Sequence, residues 1–510
     1  MNSTYTAVSL VLAIGLWFIH AQRAKRRLLP GPPRLPFIGS ALYMPTRRPW
    51  LVFSEWDKTY GGIFQLDVLG KSIVVINSLK IAKDLLDKRS SIYSDRPHAI
   101  MAGDLNESIG FSKSLGFLPY GDTWRKQRRI VIQNFTPSMV PKYHALQEKE
   151  AATLVKNVLE DPDTLRKELH FRIGVIILRA TYGYYVTSPD DYILQLGRKG
   201  IECFSRTSAP GRYLVDMIPA LQYLPSWMPG ADFLKEAAEM RTLLHEVANA
   251  PYHWCKSNLD NGKTLMPNLC GTIIQNTEEE ELKEVQHNVI WGAVSMLGGG
   301  LDTNVSTALS FVMAMILHPE IQKKAQAELD AVVGKERLPL ISDRANMPYV
   351  RRIMAETLRW GPPAPLSLPH AVSEDDVYEG YYIPKGTLVL PNIWHMLHDP
   401  EVYPNPAQFN PDRFATDEDV SKTQELAFGF GRRICPGMHF AEGSLFAIIA
   451  TMLATCDILP GLDAQGREVM PECVYTSGTV VLPEAFGVRL RARSKVVVGL
   501  LDEASAVPPE

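Results

Sequence analysis

Cysteine is sparse: the 510 residues hold six, and no two of them form a Cys-x-x-Cys pair. Cys203, Cys255, Cys270, Cys435, Cys456 and Cys473 are scattered, which excludes the dense disulfide scaffold of a small secreted domain and fits a reducing compartment. Excess charge of one sign is also missing. Lys+Arg number 53 against 56 Asp+Glu, a formal net charge of −3, so no nucleic-acid partner is expected, because such proteins carry a strongly basic face or total. The body has no long Gly/Ser linker, no internal repeat and no low-complexity block. One large catalytic unit is therefore a simpler reading than the roughly three domains that length alone suggests.

A long hydrophobic run opens the chain. Residues Tyr5 to Ile19 are almost wholly apolar, and Arg23, Lys25, Arg26 and Arg27 follow at once. With its flanks the run reaches the length of a membrane span. No basic residue precedes it and no small-residue cleavage site follows, unlike a cleaved signal peptide. The positive flank on its C-terminal side places the body in the cytosol. Pro30-Gly31-Pro32-Pro33 and Pro36 cannot continue a helix, since proline lacks an N–H and fixes φ. The expected organisation is a membrane anchor over 1–22, a basic and proline-rich linker over 23–36, a catalytic domain over 37–497 and a disordered tail over 498–510.

The body reads as mostly α with a small β-sheet region. Ile63 to Asp67 and Ser72 to Ile76 predict a hairpin, and β signals return near Thr387 to Leu390 and Tyr475 to Leu482. Helical periodicity dominates between, for example over Ile81 to Lys88, Asp122 to Asn134 and His318 to Val332.

The chemistry concentrates in Phe428-Gly429-Phe430-Gly431-Arg432-Arg433-Ile434-Cys435-Pro436-Gly437. A lone cysteine is usually a small buried hydrophobe, but these neighbours suggest a ligand. Gly429 and Gly431 let the backbone turn tightly beside a flat cofactor. Pro436 and Gly437 open a helix whose N-terminus would lower the thiol pKa. Phe428 can shield the sulfur, and Arg433 offers a planar cation. The pattern Phe-x-x-Gly-x-Arg-x-Cys-x-Gly resembles the haem-binding loop of the cytochrome P450 family.

Three further stretches agree with that resemblance in order and spacing. Glu356 and Arg359 share a helix face at i and i+3, and the resemblance implies a buried triad completed by Arg413 in Pro411-Asp412-Arg413-Phe414, where Asp412 departs mildly from the family pattern. These three are assigned to structure and haem insertion. Gly298-Gly299-Gly300-Leu301-Asp302-Thr303 puts three glycines inside an apolar helical run, each costing about 1 kcal/mol against alanine. It resembles the oxygen-activating segment of the family, which implies Thr303 as the hydrogen-bonding hydroxyl and Asp302 as the feeder of its proton relay. In Trp124-Arg125-Lys126-Gln127-Arg128-Arg129, Trp124 and Arg128 share a face and resemble the pair that holds a haem propionate. Arg125, Lys126 and Arg129 suit a basic surface for an acidic electron donor. His370 matches a family position that reaches a propionate. His395 and His398 look like a metal pair but lack a third ligand, so structural histidines are expected.

The resemblance covers about Pro30 to Leu490 and points to fungal secondary-metabolism members, among them basidiomycete tryptamine hydroxylases and the O-methylsterigmatocystin oxidoreductase group. It implies the cytochrome P450 fold preceded by one transmembrane helix, haem b on the Cys435 thiolate, Gly437 and Phe428 framing the ligand, and insertion of one atom of O2 into an apolar small molecule. A terpenoid is favoured over an indole or polyketide, because the candidate walls (the Ser90–Phe117 loop, Phe204–Pro229, Met296, Ala364–Leu368 and the Thr476–Thr479 turn) are mostly apolar. The chain has no Gly-rich dinucleotide loop in a strand–helix context, so the electrons are expected from a separate NADPH-cytochrome P450 reductase, with cytochrome b5 as a possible second donor, at the endoplasmic reticulum membrane. The rival readings are a haem-thiolate isomerase or dehydratase, which would not need Asp302 and Thr303, and a non-catalytic haem-binding sensor.

Overall fold

The structure is a computed structural model that describes residues 27–506 apart from 99, 105–108, 208–212 and 217. The expected anchor at 1–22 and the start of the basic linker lie outside the described residues. The proline-rich stretch after them lies along the first strand, where Gln65 N donates to Pro30 O at 2.8 Å.

The β-branched segments form a four-stranded sheet of β1 (Ile63–Val68), β2 (Lys71–Ile76), β3 (His370–Ala371) and β4 (Leu388–Pro391), in the order β1-β2-β4-β3. β1 and β2 are the expected antiparallel hairpin, with Ile63 opposite Ile76, while β2 and β4 run parallel. The period-2 alternation of β2 splits its side chains between two small cores. Val74 and Ile76 join Val389 on one side, and Ile73 and Val75 join Leu390 on the other.

Helices make up most of the rest. Those that matter for the site are α1 (Asp122–Asn134), α2 (His144–Glu160), α3 (Leu165–Tyr182), α4 (Tyr192–Thr207), α5 (Asp232–Asp260), α6 (Glu279–Leu317), α7 (Pro348–Trp360), α8 (Asp417–Ala427), α9 (Met438–Thr455) and α10 (Lys495–Ala506). α6, at 39 residues, is roughly 58 Å long and packs on α1, α3, α5 and α9. α6 and α9 are apolar enough to cross a membrane by length and composition, yet 78% and 72% of their most apolar windows are buried. Both are core helices of one large cluster.

Three expectations meet a different structure. The Ile81–Lys88 segment is one turn of α-helix, Leu79–Ala82, that passes into a π-helical turn, Lys83–Lys88. Tyr475–Leu482 is no strand. It turns back on itself, with Thr476 N donating to Leu482 O and only one bridge, Tyr475 to Pro483, because Gly478 at φ 155° breaks the extended run. The segment expected as a disordered tail is largely helical, since α10 runs to Ala506. Its Val497 and Leu501, at i and i+4, are buried, and Lys156 of α2 pairs with Asp502 at 2.7 Å. The polar residues and proline pair at the chain's end (Asp502, Glu503, Pro508 and Pro509) mask the apolar 496–501 run near the start of this helix.

Candidate active site

The loop before α9 is shaped by its glycines. After α8 ends at Ala427, Gly429 and Gly431 adopt φ of 94° and 53°, a region that disfavours side chains. A Cβ on Gly431 would run into the Leu86 carbonyl oxygen. The turn folds back so that Cys435 N donates to Phe428 O at 3.0 Å, leaving Cys435 three residues before the first residue of α9.

Cys435 faces a cavity of about 340 Å³ that is also lined by Phe428, Gly437, Arg433, Trp124, Arg128 and Thr303. Burial pushes the Cys435 thiol above its ordinary pKa, and the Gly437 N–H and Arg128 pull it back. The expected lowering by the helix start is thus present but outweighed, because no countercharge among the described residues is strong enough to offset desolvation.

α6 forms another wall, with Gly298, Gly299, Gly300 and Thr303 lining the cavity. It continues unbroken through these glycines, so they do not cap it. A Cβ on Gly298 or Gly299 would meet nothing within 4 Å, which keeps that helix face open to the cavity. Thr303 Oγ1 donates to Gly299 O at 2.7 Å. Asp302 is not part of the lining. Its carboxylate meets His170 Nε2 of α3 at 3.5 Å, and His170 Nδ1 lies 2.8 Å from Arg166 O.

Three guanidiniums reach the same cavity, and each is held by carbonyl oxygens. Arg433 donates to Ser94 O, Leu115 O and Leu118 O. Arg128 donates to Ile434 O at 2.9 Å. Arg96, which the sequence reading did not single out, donates to Gly116 O, Leu368 O and Pro369 O. Burial pushes Arg96 down to about 9, and burial followed by the charge of Arg96 pushes Arg433 down to about 8. A guanidinium keeps its proton in proteins, so these depressions express the cost of burying the charges, which Asp95 offsets only in part. Trp124 Nε1 is buried and has no hydrogen-bond partner among the described residues. His370 is buried behind this group rather than on the cavity lining. Its Nδ1 lies 2.8 Å from Tyr93 O, and burial with the charges of Arg96 and Arg433 drives its pKa well below the ordinary value. An orphaned indole N–H and three guanidiniums with no carboxylate in hydrogen-bond contact among the described residues, with Asp95 an acidic neighbour of Arg96 and Arg433 at longer range, beside a thiol, fit a dianionic cofactor with a thiophilic metal. Arg96 had no sequence signal beyond Pro97, which restricts its backbone.

Glu356 and Arg359 of α7 are fully buried and joined by two bonds of 2.7 and 2.8 Å. Arg413 Nε reaches both oxygens of Glu356, at 3.0 and 3.1 Å, so the three expected residues do meet. His398 stacks on Trp394 with ring centroids 4.0 Å apart, and its Nδ1 lies near Trp394 O. Among the described residues no group of three or more His, Cys, Asp or Glu could hold a metal ion.

The Cytochrome P450 family model matches residues 29–479. The chain belongs to the cytochrome P450 family. It is 46% identical over 493 residues to cytochrome P450 monooxygenase 226 of Postia placenta, covering 96% of this chain and 93% of that one. It is 40% identical to cytochrome P450 monooxygenase claR of Ampulloclitocybe clavipes, covering 96% and 91%. A zebrafish cytochrome P450 solved with progesterone superposes with a TM-score of 0.71 at 25% identity, over 87% of this chain and 99% of that one. This chain is accordingly a monooxygenase of a fungal cytochrome P450 family, an oxidoreductase that uses O2, a substrate and a redox partner, with haem held by a cysteine thiolate.

Of the substrate walls expected from the sequence, Phe111, Leu115 and Phe117, Met296, and Ala364, Ser367 and Leu368 line the cavity of this cytochrome P450. From the Phe204–Pro229 stretch only Phe204 does, among the described residues, and from Thr476–Thr479 only Thr479.

Proposed function

We propose that Cys435 is the iron ligand of haem b in a membrane-anchored monooxygenase of fungal secondary metabolism. The observation that carries this reading is that Cys435 and Thr303 face one cavity rimmed by three guanidiniums whose hydrogen bonds among the described residues go to carbonyl oxygens and none to a carboxylate. Haem bound through a thiolate supplies the activation of O2, its electron push favouring O–O cleavage. Arg96, Arg128, Arg433 and Trp124 Nε1 neutralise and orient the propionates, and His370 supports them from behind. Phe428 and Gly437 frame the sulfur. Thr303 Oγ1 holds a proton at the reacting end of the cavity, and Asp302 delivers protons from the His170 side. Glu356, Arg359 and Arg413 hold the substructure into which haem inserts.

The cavity's mostly apolar wall supports an apolar substrate, a terpenoid in preference to an indole or polyketide. Electrons come from NADPH-cytochrome P450 reductase, with cytochrome b5 as a second donor, and the exposed Arg125, Lys126 and Arg129 supply a basic face for either. The chain sits on the cytosolic side of the endoplasmic reticulum membrane, anchored by 1–22, with the catalytic domain after the 23–36 linker. Exposed Phe37 (98%), Leu42 (75%), Tyr223 (81%) and Trp227 (79%) support membrane contact. The deciding experiment is the absorption spectrum of the dithionite-reduced protein with carbon monoxide. A strongly red-shifted Soret band lost in Cys435→Ala supports the assignment, and a band typical of histidine-ligated haem overturns it.

A further inference from the structure

The 475–483 turn carries part of the cavity wall but belongs to no sheet. Thr479 and Val480 line the cavity, while a single isolated bridge joins Tyr475 to Pro483. A segment without a ladder needs other partners for its backbone groups if it is to keep one shape. Here α6 supplies them through hydroxyls.

The sequence of α6 holds five hydroxyl side chains, and four follow the usual habit of a helical hydroxyl. Ser295, Thr303, Thr307 and Ser310 each donate to the carbonyl four residues back, at 2.7, 2.7, 3.0 and 2.9 Å. Ser306 does not. Its Oγ leaves its own helix and donates to Val481 O at 2.6 Å. Both residues are buried, Ser306 at 0% and Val481 at 2% exposure. The Val481 N–H is held as well, donating to Pro363 O at 2.9 Å. Val481 is thus clamped through both backbone groups, between α6 and the segment whose Pro363, Ala364, Ser367 and Leu368 line the same cavity.

Further ties fix the base of the turn. Ser310 has one hydroxyl proton and gives it to Ser306 O, so Tyr475 Oη donates to Ser310 Oγ across 3.0 Å. A Cβ on Gly361 would run into that tyrosine hydroxyl, so only a glycine after α7 leaves room for it. Arg166 of α3 donates to Pro483 O at 2.7 Å. Thr479 and Val480 therefore stand beside a clamped residue, and the clamp starts from the helix that carries Thr303, three positions before Ser306.

We propose that Ser306 is a positioning residue for substrate: its hydroxyl fixes Thr479 and Val480 relative to Thr303 and so sets which substrate shapes the cavity accepts. The inference rests on the reading of that cavity as the substrate site. Ser306 is not part of the lining and acts through the turn. Without the hydroxyl, the buried Val481 carbonyl loses its partner, and the turn is free to trade its position for another donor. A wall packed at interior density discriminates by shape only while it stays in place.

The test uses the full-length, haem-loaded protein and two probes, 1-hexylimidazole and 1-cyclohexylimidazole, which share a donor nitrogen and differ in the shape of a six-carbon tail. Binding is followed by the Soret shift. Wild-type affinities are expected to differ by about tenfold or more, Ser306→Ala to bring them within about threefold, and Ser306→Thr, which keeps the donor, to retain the difference. Equal affinities in the wild type overturn the proposal, and so does compression in both variants. Hydrogen exchange of the 475–483 peptide gives a second readout. It is expected to be slowed at least about 100-fold in the wild type and to quicken about tenfold in Ser306→Ala. Exchange at the free-chain rate in the wild type overturns the clamp without needing any variant to fold. A Ser306→Ala protein with a lower urea midpoint but the wild-type affinity ratio also overturns the proposal, since the serine then serves stability alone. The carbon monoxide spectrum of the same samples separates the two readings: a missing thiolate band defeats the cavity assignment, whereas exchange still reports on the clamp.

Discussion

Replacing Glu356 by glutamine tests whether the buried triad carries the stability of the region that receives haem. The carboxylate accepts from Arg359 Nε and Nη2, from Arg413 Nε on both oxygens, and from Asn410 N, all at 2.7–3.1 Å. It is 0% exposed, as is Arg359. Glutamine keeps the shape but removes the countercharge of two buried guanidiniums and turns a donor toward donors. Removing one member of a buried ion pair costs about 3–5 kcal/mol, against a total stability of about 5–15 kcal/mol for a typical domain. Glu356→Gln should therefore lose about a fifth or more of the stability, seen as a lower urea midpoint by tryptophan fluorescence and as poor haem retention. The control is Lys324→Ala, which removes the exposed pair with Asp412 and should cost no more than about 1 kcal/mol. A Glu356→Gln protein with the control's midpoint and full haem content would refute the claim that the triad is a structural ion cluster.

Thr303→Ala should keep the thiolate spectrum while NADPH consumption diverts to hydrogen peroxide, because the hydroxyl that holds a proton at the cavity is gone; full coupling to product would contradict that role. Gly431→Ala should yield little or no haem-loaded protein, since the new Cβ meets the Leu86 carbonyl oxygen at a φ that side chains disfavour; a normal Soret-to-protein absorbance ratio would speak against it. His398 gives a pH dependence. Burial, then the charge of Arg359, lowers its pKa from 6.5 to about 3. The unfolded chain thus takes up a proton that the folded one refuses, and the contribution is whole above pH 6.5 and declines as pH falls toward 3. Between pH 7 and 5 the loss is about 2 kcal/mol. His398→Gln should flatten that part of the urea-midpoint profile, and an unchanged slope would place the acid sensitivity elsewhere.

Local pattern made some elements legible and tertiary context hid others. Asp122–Asn134 is read to the residue, because its buried positions Trp124, Gln127, Val131 and Asn134 fall at helical spacing. The β1–β2 hairpin was equally plain from its alternation. α10 was missed because its burial depends on α2, more than three hundred residues earlier, and nothing in its own composition announces that partner. The site divides in the same way. Cys435, Thr303, Trp124 and Arg128 belong to continuous motifs, and they meet at one cavity. Arg96 belongs to no motif. It matters only because the chain brings it beside Arg433, a relation between residues 337 positions apart that no spacing rule can express. Asp302 was legible as an acid next to Thr303, yet not as an acid turned toward His170 on another helix.

The distribution of charge around the cavity links these parts into one argument about assembly. Arg96, Arg128 and Arg433 are held by carbonyl oxygens of the Ser94–Leu118 loop, of the Pro365–Pro369 turn and of the Cys435 loop itself. Each guanidinium therefore ties one chain segment to another without a carboxylate in direct contact among the described residues, a costly state in a buried setting. A dianionic ligand that satisfies the three charges at once strengthens those ties together, so its binding free energy becomes folding free energy for the loops that form the cavity wall. The same loops carry Phe111, Leu115 and Phe117, which shape the substrate chamber. If these guanidiniums hold the cofactor as proposed, cofactor retention and substrate selectivity are coupled through a small set of backbone carbonyls. On that reading, substitutions at Arg96 or Arg433 act on both.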